Sequence, residues 1–191
     1  GIIANPNCST IQLVLALKPL HEEATLRRVV VSTYQSASGA GARAVEELWE
    51  QARAVLSGTP AADAPHEIHF RPLAFNCVPK IDVFLDDGST KEEWKMVVET
   101  RKILGAPELR IHATCVRVPV VRGHSEAVNV ETVRPLTPSR AVELLGASPG
   151  LVVRDRAEDL PTPADAHGRY ETFVGRIRRD PSVENGLAMW V

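Results

Sequence analysis

Runs of β-branched and apolar residues restrict the fold more than any other feature of this sequence. Six such runs, most of them in the second half of the chain, have the length and composition of sheet strands. The predicted strands cover residues 28–34, 111–121, 126–133, 151–153, 170–177 and 186–191. Because the long strands are grouped late and helical patterns lie between the runs, we predict an α+β domain. It has one mixed sheet, with helices packed on one face of it.

Two helices are predicted in the first third of the chain. The apolar spacing after Cys8 is helical, and Pro19 should end or kink that helix because proline lacks the amide hydrogen that a helix interior needs. An i, i+3, i+4, i+7 apolar stripe predicts a second helix over residues 45–56. Residues 70–85 contain two prolines and are expected to be irregular to extended.

Two more helices carry recognisable start signals. Thr90 and Glu93 form a capping box that opens a helix. Its expected apolar face consists of Trp94, Val97, Val98 and Leu104. A proline in the first turn predicts a short helix over residues 137–145, and Gly146 provides its stop signal.

The composition excludes several classes of protein. The chain has 22 Lys plus Arg and 24 Asp plus Glu, and a net charge of −2 gives no overall field for nucleic acid or an anionic membrane. No apolar run approaches the roughly 18 residues of a membrane span. The three cysteines are too few for a disulfide framework, which favours a reducing, cytoplasmic location. No G-x-G-x-x-G or G-x-x-x-x-G-K-[ST] motif is present, so the chain has no nucleotide-binding fold of its own.

Cys8 is the first candidate for chemistry, because it follows a polar turn and begins a helix. At that position the helix dipole and the free amide groups should lower the pKa of the thiol and bind an oxyanion. The alternative is a small buried cysteine that caps the helix. Cys77 and Cys115 lie in apolar stretches and are expected to be core residues.

Arg117 and His124 are the second candidate, at the end of a predicted strand and in the glycine turn that follows. An arginine fork suits a substrate carboxylate, and a histidine can accept or donate a proton near neutral pH. Without Cys8 as a partner they are simply a strand charge and a turn residue. A distant cysteine and histidine can still meet in the fold.

Three further patterns are weaker. Glu92 and Lys95 are three residues apart on a helix, which is typical of a surface ion pair. The small residues of the turn 35–41 leave its backbone open to a phosphate or a flat ring, but a simple strand-to-helix turn explains them equally well. His66 and His69 have poor spacing for zinc and no neighbouring ligands, so we predict no metal site.

Taken together, these segments resemble aspartate-β-semialdehyde dehydrogenase. The matching motifs are NPNCST at 5–10, YQSASGAG at 34–41, EEWK at 92–95, CVRVPVVRGHSE at 115–126 and VGRIRRD at 174–180. They run over nearly the whole chain in the family's order, and the NPNC and RGHS motifs are the specific ones. N-acetyl-γ-glutamyl-phosphate reductase is the nearest enzyme alternative, although its cysteine motif more usually reads NPGC.

The resemblance implies a role for nine residues. The catalytic ones are Cys8 as the nucleophile, His124 as the proton acceptor and donor, and Gln35 as the residue that positions substrate and thioester. The substrate-binding ones are Arg117 for the carboxylate, Glu92 for the amino group, Lys95 for the phosphate and Asn7 beside the nucleophile. Ser38 and Gly39 match the turn that touches NADP.

The resemblance also implies an activity and an assembly. Family members reduce L-aspartyl-4-phosphate to L-aspartate-4-semialdehyde with NADPH, through a cysteine thioester, in the biosynthesis of lysine, threonine, methionine and isoleucine. Their partners are the small-molecule substrate and phosphate, and they form homodimers through a C-terminal domain of the glyceraldehyde-3-phosphate-dehydrogenase type. We expect residues 1–191 to be that single catalytic and dimerisation domain.

Two elements of the family are missing from the sequence, namely the N-terminal Rossmann domain and the final C-terminal helix. Both ends of the chain also interrupt apolar runs, so we expect it to be part of a longer protein. It should bind NADP weakly or not at all and have little turnover alone. A non-catalytic dimerisation fragment is therefore the alternative from a different class.

Overall fold

The computed structural model describes residues 1–191 and contains one six-stranded sheet and five α-helices. The helices are α1 (Cys8–Ala24), α2 (Ala42–Leu56), α3 (Lys91–Leu104), α4 (Pro138–Gly146) and α5 (Pro163–Ala166). The strands are β1 (Leu26–Gln35), β2 (Arg110–Arg117), β3 (Ser125–Thr132), β4 (Leu151–Val153), β5 (Thr172–Asp180) and β6 (Gly186–Trp190). Every predicted strand and helix is present, with shifts at the ends.

The sheet has the strand order β2-β1-β3-β6-β5-β4 and is mixed, as predicted. β1 pairs in parallel with β2 and antiparallel with β3. A parallel pair needs a long crossover, and residues 36–109, which include α2 and α3, provide it. This crossover brings the end of β1 beside the end of β2, where the candidate residues lie.

One face of the sheet is covered by α1, α3 and α4, and α1 contacts the other two helices. Leu13, Leu17 and Leu20 of α1 are fully buried in the main core against the inner side chains of β1 and β3. No helix packs on the opposite face of the sheet, where Tyr34 and Trp190 stack with ring centroids 5.2 Å apart. The predicted α+β class, with helices on one face, is confirmed. No helix is long and apolar enough to cross a membrane.

The expectation that Pro19 ends its helix is wrong, because α1 passes through it and ends at Ala24. The alternative, a kink at Pro19, stays a prediction. Leu20 and Ala24, which follow the proline, are almost fully buried. Core packing of this last turn stabilises the helix and offsets the loss of one hydrogen bond.

The predicted apolar face of α3 is wrong as well. Trp94 is 50% exposed, whereas Met96 is fully buried. The capping box is present as predicted, and the Glu93 side chain that completes it also accepts a hydrogen bond from the amide of Cys115. This contact turns the inner face of α3 toward β2, so that Glu92 and Met96 point inward.

α2 buries two polar side chains that the apolar stripe did not predict. Glu47 accepts hydrogen bonds from three successive amides, those of residues 67–69, and from the His69 ring. Gln51 Oε1 accepts from the amides of Leu73 and Ala74. These two side chains hold the irregular segment between α2 and α3 in place, while Trp49 on the predicted stripe is 51% exposed.

Candidate active site

The first turn of α1 lies at the end of the sheet where β1 and β2 finish and β3 begins. The opposite end of α1 fixes this direction, since Ala24 and Thr25 accept backbone hydrogen bonds from Arg134 and Val133, just beyond β3. Asn7 caps the helix, and its Oδ1 accepts from the amides of Ser9 at 3.0 Å and Thr10 at 3.2 Å. The Asn7 side chain therefore occupies two of the helix amides that we expected to be free to bind an oxyanion.

Cys8 is the first residue of α1, and its side chain is exposed. Its pKa is raised, because the surrounding protein removes part of the water around the thiol, although the residue still reaches solvent. This desolvation and the negative charge of Glu92 outweigh the Ser9 amide and Arg117, which favour the thiolate. The prediction of a lowered pKa is therefore wrong for this chain. The helix terminus acts as expected, but Glu92 is a charge that only the tertiary fold brings close.

Arg117 and Gln35 are cross-strand partners at the ends of β2 and β1. The Arg117 side chain is almost fully buried, and its Nη1 donates to the carbonyl of Ser36 at 2.7 Å. Burial lowers the pKa of this guanidinium, while Glu92 opposes the shift. Gln35 is also buried, and its Nε2 donates to Thr33 Oγ1 at 3.2 Å.

His124 lies in the turn before β3 and lines the same cavity as Cys8, together with Gln12, Ser125 and Val191. Its Nδ1 accepts from the amide of Ser36 at 3.0 Å. Burial and the nearby Arg117 lower the pKa of His124 to about 4, with Glu92 acting in the opposite direction. The ring is therefore neutral near pH 7.

A chain of polar contacts joins Glu92 and Lys95 to the nucleophile's helix. Glu92 Oε1 accepts from Asn7 Nδ2 at 2.8 Å, and its Oε2 lies 3.4 Å from Lys95 Nζ. Lys95 Nζ is closer to Asp82, at 3.0 Å. Burial disfavours the charged lysine, but Asp82 and Glu92 outweigh it and raise its pKa. The ion pair expected from the i, i+3 spacing is present, and its glutamate is buried.

Ser38 and Gly39 lie in a single 3-10 turn (Ala37–Ala40) that closes over this group. A Cβ added at Gly39 would lie 2.8 Å from Arg117 Nη1 and 3.2 Å from His124 Nε2. Only a glycine allows the turn to approach both side chains this closely. The fold thus brings all nine predicted site residues to one end of the sheet.

Sequence reasoning missed several residues in this region. The backbone of Ser36 bonds both Arg117 and His124. Asp82 holds Lys95, and Glu99 Oε2 accepts from the amide of Asn7 at 2.7 Å. No spacing rule could have found these contacts, because each joins distant segments. In the sequence, Asp82 and Glu99 look like ordinary surface charges.

The other cysteines differ from each other. Cys115 is fully buried beside Met96, as predicted, and burial raises its pKa to about 12. Cys77 is exposed, so its prediction as a core residue is wrong. It lies in the irregular segment before α3, where the backbone turns its side chain outward. No group of three or more metal-ligating side chains is close enough to hold an ion.

This geometry supports nucleophilic chemistry on a small, charged substrate. One thiol and one neutral imidazole line a cavity. Arg117, Glu92 and Lys95 do not line it, but Arg117 and Glu92 are close enough to shift the pKa of both Cys8 and His124. Comparison with known proteins gives a family. A family model described as semialdehyde dehydrogenase, dimerisation domain, matches residues 17–191. The chain belongs to this family.

Similar proteins extend the match to the first sixteen residues. Aspartate-semialdehyde dehydrogenase of Aquifex aeolicus is 52% identical over 196 residues, an alignment that covers 100% of this chain and 56% of the relative. The protein of that name from Vibrio mimicus is 46% identical and covers 100% of this chain and 60% of the relative. The chain therefore spans little more than half the length of these semialdehyde dehydrogenases.

Solved structures agree with this assignment. Aspartate semialdehyde dehydrogenase II from Vibrio cholerae is 46% identical, with a TM-score of 0.95 over 99% of this chain and 56% of that one. The same protein has been solved in complex with ASA. Aspartate semialdehyde dehydrogenase from Candida albicans, solved with NADP, is 25% identical with a TM-score of 0.68, and the match covers 100% of this chain and 52% of that one. The predicted family resemblance is confirmed, and with it the fold of the glyceraldehyde-3-phosphate-dehydrogenase type.

Proposed function

We propose that this chain is the catalytic and dimerisation half of an aspartate-semialdehyde dehydrogenase. The complete enzyme would reduce L-aspartyl-4-phosphate to L-aspartate-4-semialdehyde with NADPH and release phosphate. The shared cavity of Cys8 and His124 is the observation that carries this proposal, and Arg117 and Glu92 act electrostatically on both groups. The 52% identity to the Aquifex aeolicus enzyme supports the substrate class.

Three charged side chains at this end of the sheet complement the charges of the substrate. Arg117 is buried and rigidly held, which suits the bidentate recognition of a carboxylate. Glu92 offers a carboxylate to the amino group, and Lys95 offers an ammonium to the phosphate. Because Lys95 also contacts Asp82, Glu92 can release it when a substrate amine arrives.

The residues of this chain carry the covalent steps. The Cys8 thiolate attacks the acyl phosphate carbon, phosphate leaves, and a thioester forms on the sulfur. NADPH, when bound, supplies the hydride that reduces this thioester. The resulting hemithioacetal oxyanion collapses, the sulfur leaves as thiolate, and His124 hydrogen-bonds the oxygen. Gln35 and Asn7 position the acyl group beside the first turn of α1.

The cofactor has only a partial contact surface in this chain. Gly39 is exposed beside His124, so a flat ring could reach the reacting carbon over the 3-10 turn. The remaining contacts belong to a Rossmann domain, which we propose precedes these residues in the complete enzyme. On that basis the chain alone binds NADP weakly or not at all.

We also propose that the chain forms a homodimer through the sheet face that carries no helix. The family description as a dimerisation domain supports this assembly. Side chains from β1, β3 and β6, including the exposed Tyr34 and the half-buried Trp190, offer an extended surface that a second copy would cover. We further propose a cytoplasmic location, which the small, odd number of cysteines supports.

Acyl transfer to Cys8 tests the proposed chemistry without the cofactor. The chain is incubated with L-aspartyl-4-phosphate generated by an aspartate kinase, and each cysteine is then analysed by peptide mass spectrometry. We expect an aspartyl thioester on Cys8, none on the exposed Cys77, and much slower labelling by acetyl phosphate, which lacks the amino group and the α-carboxylate. A Cys8→Ser variant should carry no thioester.

Equal labelling of Cys8 and Cys77 would contradict the proposal. If the chain were also dimeric by size-exclusion chromatography, that result would favour the non-catalytic dimerisation fragment. A reading as N-acetyl-γ-glutamyl-phosphate reductase requires preferential labelling by the N-acetylated substrate, so both acyl phosphates are compared in the same assay.

A further inference from the structure

Ser36 directly follows β1 and is fully buried. Its two backbone groups contact two different residues of the site. The amide donates to His124 Nδ1 at 3.0 Å, and the carbonyl accepts from Arg117 Nη1 at 2.7 Å. One peptide segment therefore connects the proposed carboxylate clamp with the catalytic histidine.

This segment cannot rotate freely, because its neighbours are also bonded. The amide of Ala37 donates to the carbonyl of Val120 at 2.8 Å, and that of Ser38 donates to Val121 at 3.1 Å. Both acceptors lie between β2 and the turn that carries His124. The hydrogen bonds of Ala37 and Ser38 to Val120 and Val121 therefore fix the position of the Ser36 amide relative to the His124 ring.

A backbone amide can only donate a hydrogen bond, so the ring nitrogen that faces it must present a lone pair. His124 Nδ1 is that nitrogen, and in a neutral imidazole the single proton must then lie on Nε2. The Ser36 hydroxyl is 3.2 Å from the same Nδ1 and 3.1 Å from Ser38 Oγ. It can donate or accept, so it does not by itself select a tautomer.

We propose that Ser36 is a positioning residue whose backbone amide holds His124 in the Nε2–H tautomer, so that the ring offers a proton donor to the cavity it shares with Cys8. The tautomer follows from the geometry alone, and only its catalytic meaning rests on the function proposed above. In that function His124 donates a hydrogen bond to the oxygen that gains charge. The Cys8 proton then leaves to water rather than to this ring, which departs from the role of proton acceptor that the family resemblance implies for His124.

The surroundings of the ring agree with this assignment. A protonated ring would direct an Nδ1–H against the Ser36 amide, which is one reason for the ring to stay neutral. The charged groups near it are Arg117, which disfavours the imidazolium, and Glu92, which favours it. At Nε2 the missing side chain of Gly39 leaves room for the proton, since a Cβ there would lie 3.2 Å from that nitrogen.

Nitrogen-15 NMR of the imidazole rings tests the proposal in this chain without any ligand. The signals of His124 are assigned by comparison with a His124→Gln variant. At pH 7 we expect its Nε2 to have the shift of a protonated nitrogen and Nδ1 that of an unprotonated one, with a scalar coupling across the hydrogen bond to the Ser36 amide nitrogen. An Nδ1–H tautomer, or a ring with fast exchange between both, would overturn the proposal.

Two variants separate the backbone amide from the hydroxyl. Ser36→Ala removes only the hydroxyl, and the tautomer should remain unchanged. Replacing the amide of residue 36 by an ester, with a hydroxy acid introduced by nonsense suppression, removes only the donor. We expect the ester to populate Nδ1–H and to raise the pKa of His124. A change of tautomer in Ser36→Ala, or none in the ester, would contradict the role assigned to the amide.

The catalytic meaning is tested separately, through the pH dependence of Cys8 alkylation by iodoacetamide. If His124 is a donor in the resting site, its replacement by Gln should leave the alkylation midpoint unchanged within experimental error. A clear shift of that midpoint would show that the ring accepts the Cys8 proton. The NMR result stands whether or not the acyl-transfer assay supports the proposed function.

Discussion

The buried carboxyl group of Glu126 should lower the free energy of unfolding in a pH-dependent way that can be measured directly. The residue lies on the inner face of β3, opposite Thr33 of β1, and is fully buried, with no partner for either carboxyl oxygen. Ser9 and Thr10 also bury unpartnered hydroxyls. Both elements can be measured from the end where Ala24 of α1 is bonded to the chain just beyond β3. Thr10 is about 21 Å from that end along the helix, and Glu126 is about 20 Å from it along β3, so both residues lie at the same height above it.

The sign of the pH effect follows from the burial of Glu126, which raises its pKa well above the ordinary value. In the unfolded chain the group loses its proton above a pKa of about 4.3. Below that pH both states are protonated, and the group adds no pH dependence. Above it the folded state retains a proton that the unfolded state releases, so stability falls as pH rises, by up to about 1.4 kcal/mol per pH unit.

The perturbation is Glu126→Gln, which keeps the shape of the side chain and removes its titration. The free energy of unfolding is measured by urea titration between pH 5 and 8 for the wild type and the variant. We expect the variant to gain about 1.4 kcal/mol on the wild type from pH 5 to pH 6. Glu158→Gln, an exposed change of the same chemistry, serves as the control and should follow the wild type. Parallel curves for wild type and Glu126→Gln would refute the reasoning.

Further predictions concern the site. Gly39→Ala places a methyl group against the buried Arg117 guanidinium and should lower the free energy of unfolding by about 1–3 kcal/mol, measured by urea titration; an unchanged value would contradict the close approach. Glu92→Gln removes a charge that raises the pKa of Cys8, so a larger fraction of Cys8 is thiolate at neutral pH. Alkylation of Cys8 by iodoacetamide should therefore become several-fold faster. Asp82→Asn should lower the pKa of its lysine partner, followed by the carbon-13 shift of that Cε. An unaltered titration would exclude this ion pair in solution.

Local sequence signals predicted the elements because their causes are local. Thr90 and Glu93 satisfy the first amides of α3 with atoms three residues apart, and the capping box appears as expected. The β-branched run before Gln35 forms β1, an interior strand of the sheet. Pro19 shows the limit of such rules, because the packing of residues far away in sequence decides whether its helix continues.

The site was predictable only through the family resemblance. From spacing alone, Glu92 was half of a surface ion pair, whereas the fold buries it between Asn7 and Lys95. The pKa of Cys8 depends on that same glutamate, which is why the helix-terminus argument gave the wrong direction. The two contacts of Ser36 on which the proposed tautomer and the arginine clamp depend are made by its backbone, so the residue type does not predict them.

The sequence distance between the bonded partners has a consequence for folding. The bonds from Asn7 to Glu92, from Ser36 to Arg117 and from Ser36 to His124 join residues 85, 81 and 88 positions apart. Contacts between residues so far apart in sequence form only after large loops have closed, so they belong to the slow steps of folding. No early intermediate and no short nascent chain can assemble the thiol site. Its completion would therefore report that the whole sheet has formed.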